Sequence, residues 1–323
     1  MSPPVTNLQL SSSKILKKTI FEGIKMFSRF LITLFLMVTI TISLTAQKYK
    51  ELRNDDWEWD HEFWHWKGGK PFIETNWGLG KPMHNKLFSK FSNVGLAEIK
   101  LGFVSFDEFY DDEGIIQLDE RYTFLSQFST KLRTEKRKYD ELPTELLRFG
   151  FGRREGYGYD FGNIKILPYT QSAVMWSKLE MKDYPVSIFP AVNLQNALDD
   201  TEILKRFDGN FRFGTLAEGG LHFNLGLISF NAGYEAAVVF PRYLFWKHIG
   251  SYAIEMAGLR ALDRFIDEVI DASPAAAPIV NFLLKSGYSY AFYTLKKEKM
   301  NWPFNTEAPL TYETFKIGLT FIF

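Results

Sequence analysis

The chain has 323 residues, 38 basic against 38 acidic, and no cysteine. A neutral balance gives no electrostatic reason to expect nucleic acid as a partner, and the missing cysteines exclude disulfides, thiol catalysis and thiolate metal sites. Phenylalanine is the outlier at 31 residues, with aromatics at 17% of the chain, an excess that suits a wall facing lipid better than a water-soluble core.

The N-terminus reads as an export signal. Lys14, Lys17, Lys18, Lys25 and Arg29 precede an apolar run from Phe30 to Leu44, and Thr45-Ala46-Gln47 follows. A basic flank, an apolar core and a small residue before polar sequence place cleavage after Ala46, although Leu44 is larger than the small residue preferred two positions before the cut. Met26 is an alternative start, which would leave residues 1–25 upstream. An uncleaved anchor is the other reading, because Phe27 to Ala46 is long enough to span a bilayer; its Thr and Ser residues dilute it as a permanent span. Removal of residues 1–46 takes away more basic than acidic groups and leaves the remainder net acidic.

Residues 47–70 form a Trp- and acid-rich segment, with Trp57, Trp59, Trp64 and Trp66 among Asp55, Asp56, Glu58, Asp60 and Glu62. Interfacial anchoring is the reading this pattern favours, ahead of a first strand or a carbohydrate-stacking surface. His61 and His65 have a spacing that holds zinc on a helix, yet no third ligand accompanies them. No metal and no cofactor is assigned.

Residues 71–323 are expected to form a β-barrel, because no later stretch is long and apolar enough for a membrane helix and a two-residue period recurs throughout. Gly95, Ala97, Ile99, Leu101 and Phe103 alternate with Leu96, Glu98, Lys100 and Gly102; Ile228 to Phe240 alternates for a long run. Phe72 to Leu79, Tyr122 to Phe128, Leu147 to Phe151, Ile164 to Lys178, Phe211 to Leu225 and Tyr288-Tyr290-Phe292 add further strands. The pattern gives 8 to 12 strands, with ten as the favoured even number. A motif of apolar, polar, apolar, Gly recurs at Ile99, Leu147, Phe211, Phe223 and Phe315. It sets Gly on the face that carries Lys, Arg or Asn, where a curved and crowded interior needs it. Leu101 to Asp107 and Leu225 to Asn231 match one another, and both are read as tight turns.

Three insertions interrupt the strands. Asp107 to Glu120 is acidic and reads as a solvated loop without calcium-loop spacing, with the basic run Lys131 to Lys138 nearby. Lys178 to Gly209 contains a short helix over Leu194 to Phe207. Leu244 to Ala272 carries Ile249, Tyr252, Met256, Leu259, Leu262, Ile266 and Val269 at helical steps. Ile279 to Lys285 adds one more turn, so the helical insertion spans 244–284. A plug in the lumen or a cap over one mouth is the favoured placement of this helix.

At the C-terminus Phe315, Ile317, Leu319, Phe321 and Phe323 alternate with Thr314, Lys316, Gly318 and Thr320. This strand resembles the terminal assembly signal of Gram-negative outer-membrane β-barrels, in which a final Phe and aromatics at every second position are the usual marks. That resemblance implies the bacterial outer membrane as location, with outer-membrane lipid and the barrel-assembly machinery as partners. The expected fold class is all-β, an antiparallel transmembrane barrel with an amphipathic helical insertion. Glu98, Lys100, Arg148, Arg212, Glu235 and Lys316 are the charges expected to line its lumen as a salt-bridge lattice.

Function is read as a structural or partner-docking component, with an outer-membrane or periplasmic protein as a further partner, or a narrow plugged pore. A soluble periplasmic lipid-binding barrel is the first alternative, and an outer-membrane lipid hydrolase the second. Barrel lipases and lipid A deacylases pair Ser with His at the wall. Here His222 stands beside Asn224 on the polar face and no G-x-S-x-G is present, so no catalytic residue is assigned.

Overall fold

The computed structural model describes residues 69–110, 114–132, 141–185 and 194–323. The export signal, the Trp-rich stretch through Trp66, the His61/His65 pair and most of the Lys131–Lys138 run lie outside the described residues.

Among the described residues are ten strands and three α-helices. In chain order they are β1 (Lys70–Met83), β2 (Lys90–Phe91), β3 (Val94–Tyr110), β4 (Ile115–Ser129), β5 (Glu141–Leu142), β6 (Thr144–Asp160), β7 (Lys165–Met181), α1 (Leu194–Lys205), β8 (Phe211–Asn224), β9 (Ile228–Val239), α2 (Phe245–Ala272), α3 (Ala277–Glu298) and β10 (Leu310–Ile322). Eight of the strands close an antiparallel barrel in the order β1-β10-β9-β8-β7-β6-β4-β3, while β2 and β5 pair with each other outside it. The barrel therefore has eight strands rather than the favoured ten, and the fold is a barrel with substantial helix rather than all-β.

Cross-strand pairing fixes the shape of the cylinder. Partners followed once around it run from Ser105 through Asp119, Glu155, Thr170, Gly219, Tyr234, Phe315 and Leu79 to Gly95, ten residues further along β3. With eight strands that stagger tilts each strand by about 40–45° and leaves an interior just wide enough for side chains.

Short connections gather at one end, hereafter the turn end, where β3 passes to β4, β6 to β7 through residues 161–164, and β8 to β9 through residues 225–227. The last matches the turn expected at Leu225 to Asn231. Gly226 there has φ +83°, a left-handed conformation costly for any residue with a Cβ, and the Asn224 side chain accepts the Gly226 N–H at 3.1 Å. The counterpart at Leu101 to Asp107 is no turn, because β3 continues through it. Likewise, Asp107 to Glu120 is not a loop but the two arms of the long β3–β4 hairpin. The other end, the loop end, carries the long connections, including α1 and the α2–α3 hairpin.

The two faces of the wall have inverted polarity. Glu98, Lys100, Arg148, Glu235 and Lys316 point inward and are buried, whereas Leu101, Phe149, Phe151, Phe230, Phe315 and Ile317 point outward and are exposed. Four glycines of the recurrent motif face inward as expected, Gly102, Gly150, Gly214 and Gly318, and a Cβ on Gly318 would collide with the Asn76 side chain; the fifth, Gly226, belongs to the turn instead.

Candidate functional site

Two features separate this barrel from a plain cylinder: a charged lumen closed at both ends, and a helical hairpin laid against the outside wall.

The lumen charges form two connected tiers. In the first, Arg148 meets Glu235 at 2.5 Å and Glu98 at 3.1 Å and donates from Nε to Ser126 Oγ. Lys316 Nζ lies 3.0, 2.7 and 2.9 Å from Glu98, Glu218 and Glu235. In the second, Arg154 grips Glu74 at 2.9 Å and Glu120 at 2.7 Å, and Lys100 reaches Glu74 at 3.0 Å. Gln171 joins the tiers, accepting from Lys100 and donating to Glu218, which also accepts from the Tyr169 hydroxyl at 2.6 Å. Aromatic faces cover the cations: Arg148 lies over Phe124 and Phe128, Arg154 over Tyr169, and Lys100 over Tyr122. Charges so far from water are tolerated only when paired and hydrogen-bonded, and each of these is.

Of the six charges read from the sequence, five meet in this network. Arg212 does not: it is half-buried near the loop end, makes no ion pair among the described residues, and its Nε lacks a hydrogen-bond partner. Glu74, Glu120, Arg154, Gln171 and Glu218 escaped the sequence reading. Their signal was parity, since Arg154 shares its face of β6 with Arg148 and Glu218 shares its face of β8 with His222. His222 sits in the lumen with its Nδ1 3.8 Å from Glu120 and its ring edge-on to Phe106. The assembly-signal residues Phe315, Ile317, Leu319, Phe321 and Phe323 all face outward, and Phe323 N–H donates to the Pro71 carbonyl at 2.9 Å.

Apolar layers close the lumen above and below the charges. Phe72, Val104, Leu118, Leu167 and Ile322 fill the turn end. At the loop end Leu96, Phe128, Leu146, Met175 and Tyr312 form one layer, and Phe91, Leu142, Leu204 and Phe207 pack over it as a cap. Two carboxylates pin the cap to the barrel rim. Asp200 on α1 accepts the N–H groups of Phe88 and Ser89 at 3.0 and 2.7 Å, and Asp208 accepts the Met181 N–H and the Tyr184 hydroxyl. His84 completes it, its Nε2 3.2 Å from the Ala308 carbonyl and its Nδ1 accepting the Lys86 N–H at 3.2 Å. Burial holds the His84 pKa below the ordinary histidine value, with the Ala308 hydrogen bond opposing.

The hairpin overturns the placement expected for the helix over Leu244 to Ala272, which neither plugs nor caps. It lies outside, packed on α3, and α3 crosses the outward faces of β6, β7, β8 and β9. Nor does Ile279 to Lys285 stop after a turn, and Tyr288, Tyr290 and Phe292 are not a strand; all belong to α3. Helical spacing explains their alternation, since Tyr288 and Phe292 share one face with ring centroids 6.0 Å apart. α3 lies over Gly219 where it crosses β8, and its Tyr293 packs with Ala236, Val238 and Phe240. A Cβ on Gly219 would stand 2.7 Å from Ser286 Oγ and 3.2 Å from Ser286 Cβ, so a side chain there would make Ser286 or the helix give way. Polar ties fasten the edges: Lys285 bridges Glu155 and Asp263, Lys297 meets Glu313, and Tyr159 donates to the Ala275 carbonyl beside the turn between the helices.

No family model matches the chain, and no curated protein matches it. Among solved structures it is similar to Neisserial surface protein A (NspA), with 8% identity over 78% of this chain and 97% of that one and a TM-score of 0.37. It is also similar to Ail, the attachment invasion locus protein of Yersinia pestis, with 9% identity over 79% of this chain and 99% of that one and a TM-score of 0.32. Likenesses this loose transfer no role, and the reading below stands on the chain's own residues.

Proposed function

We propose that the chain is an outer-membrane β-barrel of a Gram-negative bacterium, closed to solutes, that serves as a structural or partner-docking component. One observation carries the reading: the wall is inside out relative to a water-soluble barrel. Ionic side chains are buried in the lumen while Phe151, Phe230, Phe315 and Phe323 stand 50–67% exposed on the outside. Exposed aromatics on that scale are costly in water and favourable against lipid. A lipid-binding barrel of the periplasm requires the opposite arrangement, an apolar cavity inside a polar wall. A narrow plugged pore is the weaker reading, since the middle of the lumen is occupied by paired charges and its ends by apolar layers.

The export signal and the terminal aromatic strand support delivery to the outer membrane with help from the assembly machinery. Short turns would then face the periplasm and the long connections the exterior, as is usual for such barrels. The test is a denaturing gel of fractionated outer membrane, run with and without boiling. A faster unboiled band is expected. Recovery in the soluble periplasm with no shift on boiling would overturn the reading.

A further inference from the structure

We propose that the wall formed by β4, β6 and the α2–α3 hairpin is a two-fold interface with a second copy of this chain. The inference rests on the membrane reading above.

Around β10, β1 and β3 the outward positions Ile317, Phe315, Trp77, Leu79, Ile99 and Leu101 are apolar, with uncharged Thr75 among them. On β4 and β6 that belt is breached. Arg121 stands directly across the ladder from the exposed Phe103, and Arg153 directly across from Arg121. Arg153 is the next outward position after Phe151, so these guanidiniums stand at the level of the belt. They are partly exposed, at 35% and 49%, and share Asp119 at 3.6 and 2.8 Å. The outer face of α2 extends the patch with Arg260, Arg264, Asp267 and Glu268, all exposed. Arg260 and Arg264 have no ion-pair partner among the described residues. No described helix is apolar enough to cross a membrane, so the hairpin is no substitute for the missing belt. An arginine facing lipid near the bilayer midplane costs about 2–4 kcal/mol. This side of the barrel therefore needs a cover that lipid does not supply.

Charge selects the occupant. A purely basic patch would suit anionic lipid headgroups, and a purely acidic one a cationic partner. This patch mixes four arginines and Lys285 with five carboxylates, Glu155 and Asp263 being those that Lys285 bridges, and sets Ile254, Phe265 and Leu283, all exposed, among them. A two-fold contact lays a surface against its own image, and a surface of balanced sign is complementary to itself.

The absence of cysteine permits a clean test in isolated outer membranes with a bis-maleimide crosslinker. Ala261→Cys, exposed on α2, is expected to give an adduct of twice the chain mass, and Ile317→Cys on the opposite wall none. Adding Arg260→Glu and Arg264→Glu is expected to lower the Ala261→Cys adduct several-fold while the unboiled fast band persists. No adduct, or equal adducts from both walls, in membranes that contain the fast band would overturn the interface and leave the membrane reading standing. An adduct of another mass would overturn the self-contact and assign the wall to a different protein. A chain found in the soluble fraction without the gel shift would overturn the membrane reading, and the interface with it.

Discussion

Lys316 is held by three carboxylates and Arg148 by two more contacts to the same acids, so neither charge can be removed alone. Truncating one member of a buried ion pair leaves its partner uncompensated, at about 3–5 kcal/mol. Arg148→Ala is thus expected to lower the temperature at which the folded band converts to the unfolded one, read on the gel after stepwise heating. Unchanged conversion would mean that the lattice contributes little to stability. Histidine at the cap adds a pH dependence. His84 has a folded-state pKa below its unfolded value near 6.5, so the unfolded state binds the extra proton first. The contribution of His84 is complete above that value and declines as pH falls below it toward the folded-state pKa. Limited proteolysis of the cap should accelerate between pH 7.5 and pH 5, and His84→Gln should flatten that dependence. Side-chain parity made half of the lattice legible: Lys100, Arg148 and Lys316 each sit two residues from a motif glycine on the same face. Glu74 and Glu120 were obscured, one on a strand whose face was unassigned and the other counted into a supposed loop.

At the scale of elements, α3 approaches the wall closely over Gly219. Gly219→Leu is expected to lift the hairpin without opening the barrel, since the new side chain points outward. The readout is faster protease cleavage near Pro274–Ala276 with the unboiled fast band retained; cleavage at the wild-type rate would show that the helix tolerates the added bulk. Strands with long alternation, such as β3, β9 and β10, could be read from the sequence because one face is uniformly apolar. The placement of α2 could not. Its apolar stripe says that something covers it, and α3, which supplies that cover, was itself hidden by aromatics spaced like those of a strand.

Taken as a whole molecule, the barrel is a filled cylinder. Among the described residues apolar layers flank the ionic tiers and the cap overlies one mouth, an arrangement that opposes the passage of a solute. Planar-bilayer recordings of the purified protein should show no discrete conductance steps, and deleting the cap alone should not create them, because the lattice remains. Steady single-channel currents from the wild-type chain would contradict the closed-lumen reading. Closure was not legible in the sequence, since it depends on the ten-residue stagger and on which loops fold back over the rim.

The ring is joined at a single seam, where Phe72 pairs with Ile322 and Met83 with Thr311. The other neighbours in the ring follow one another in the order of the chain, whereas these partners are separated by nearly its whole folded length. Loop-closure entropy makes such a pairing late and slow. Until it forms, the sheet has two raw edges, β1 and β10, each an open template for another strand. The terminal aromatics line one of those edges, so the segment that most needs shelter during folding is the one carrying the mark by which it resembles a recognition signal.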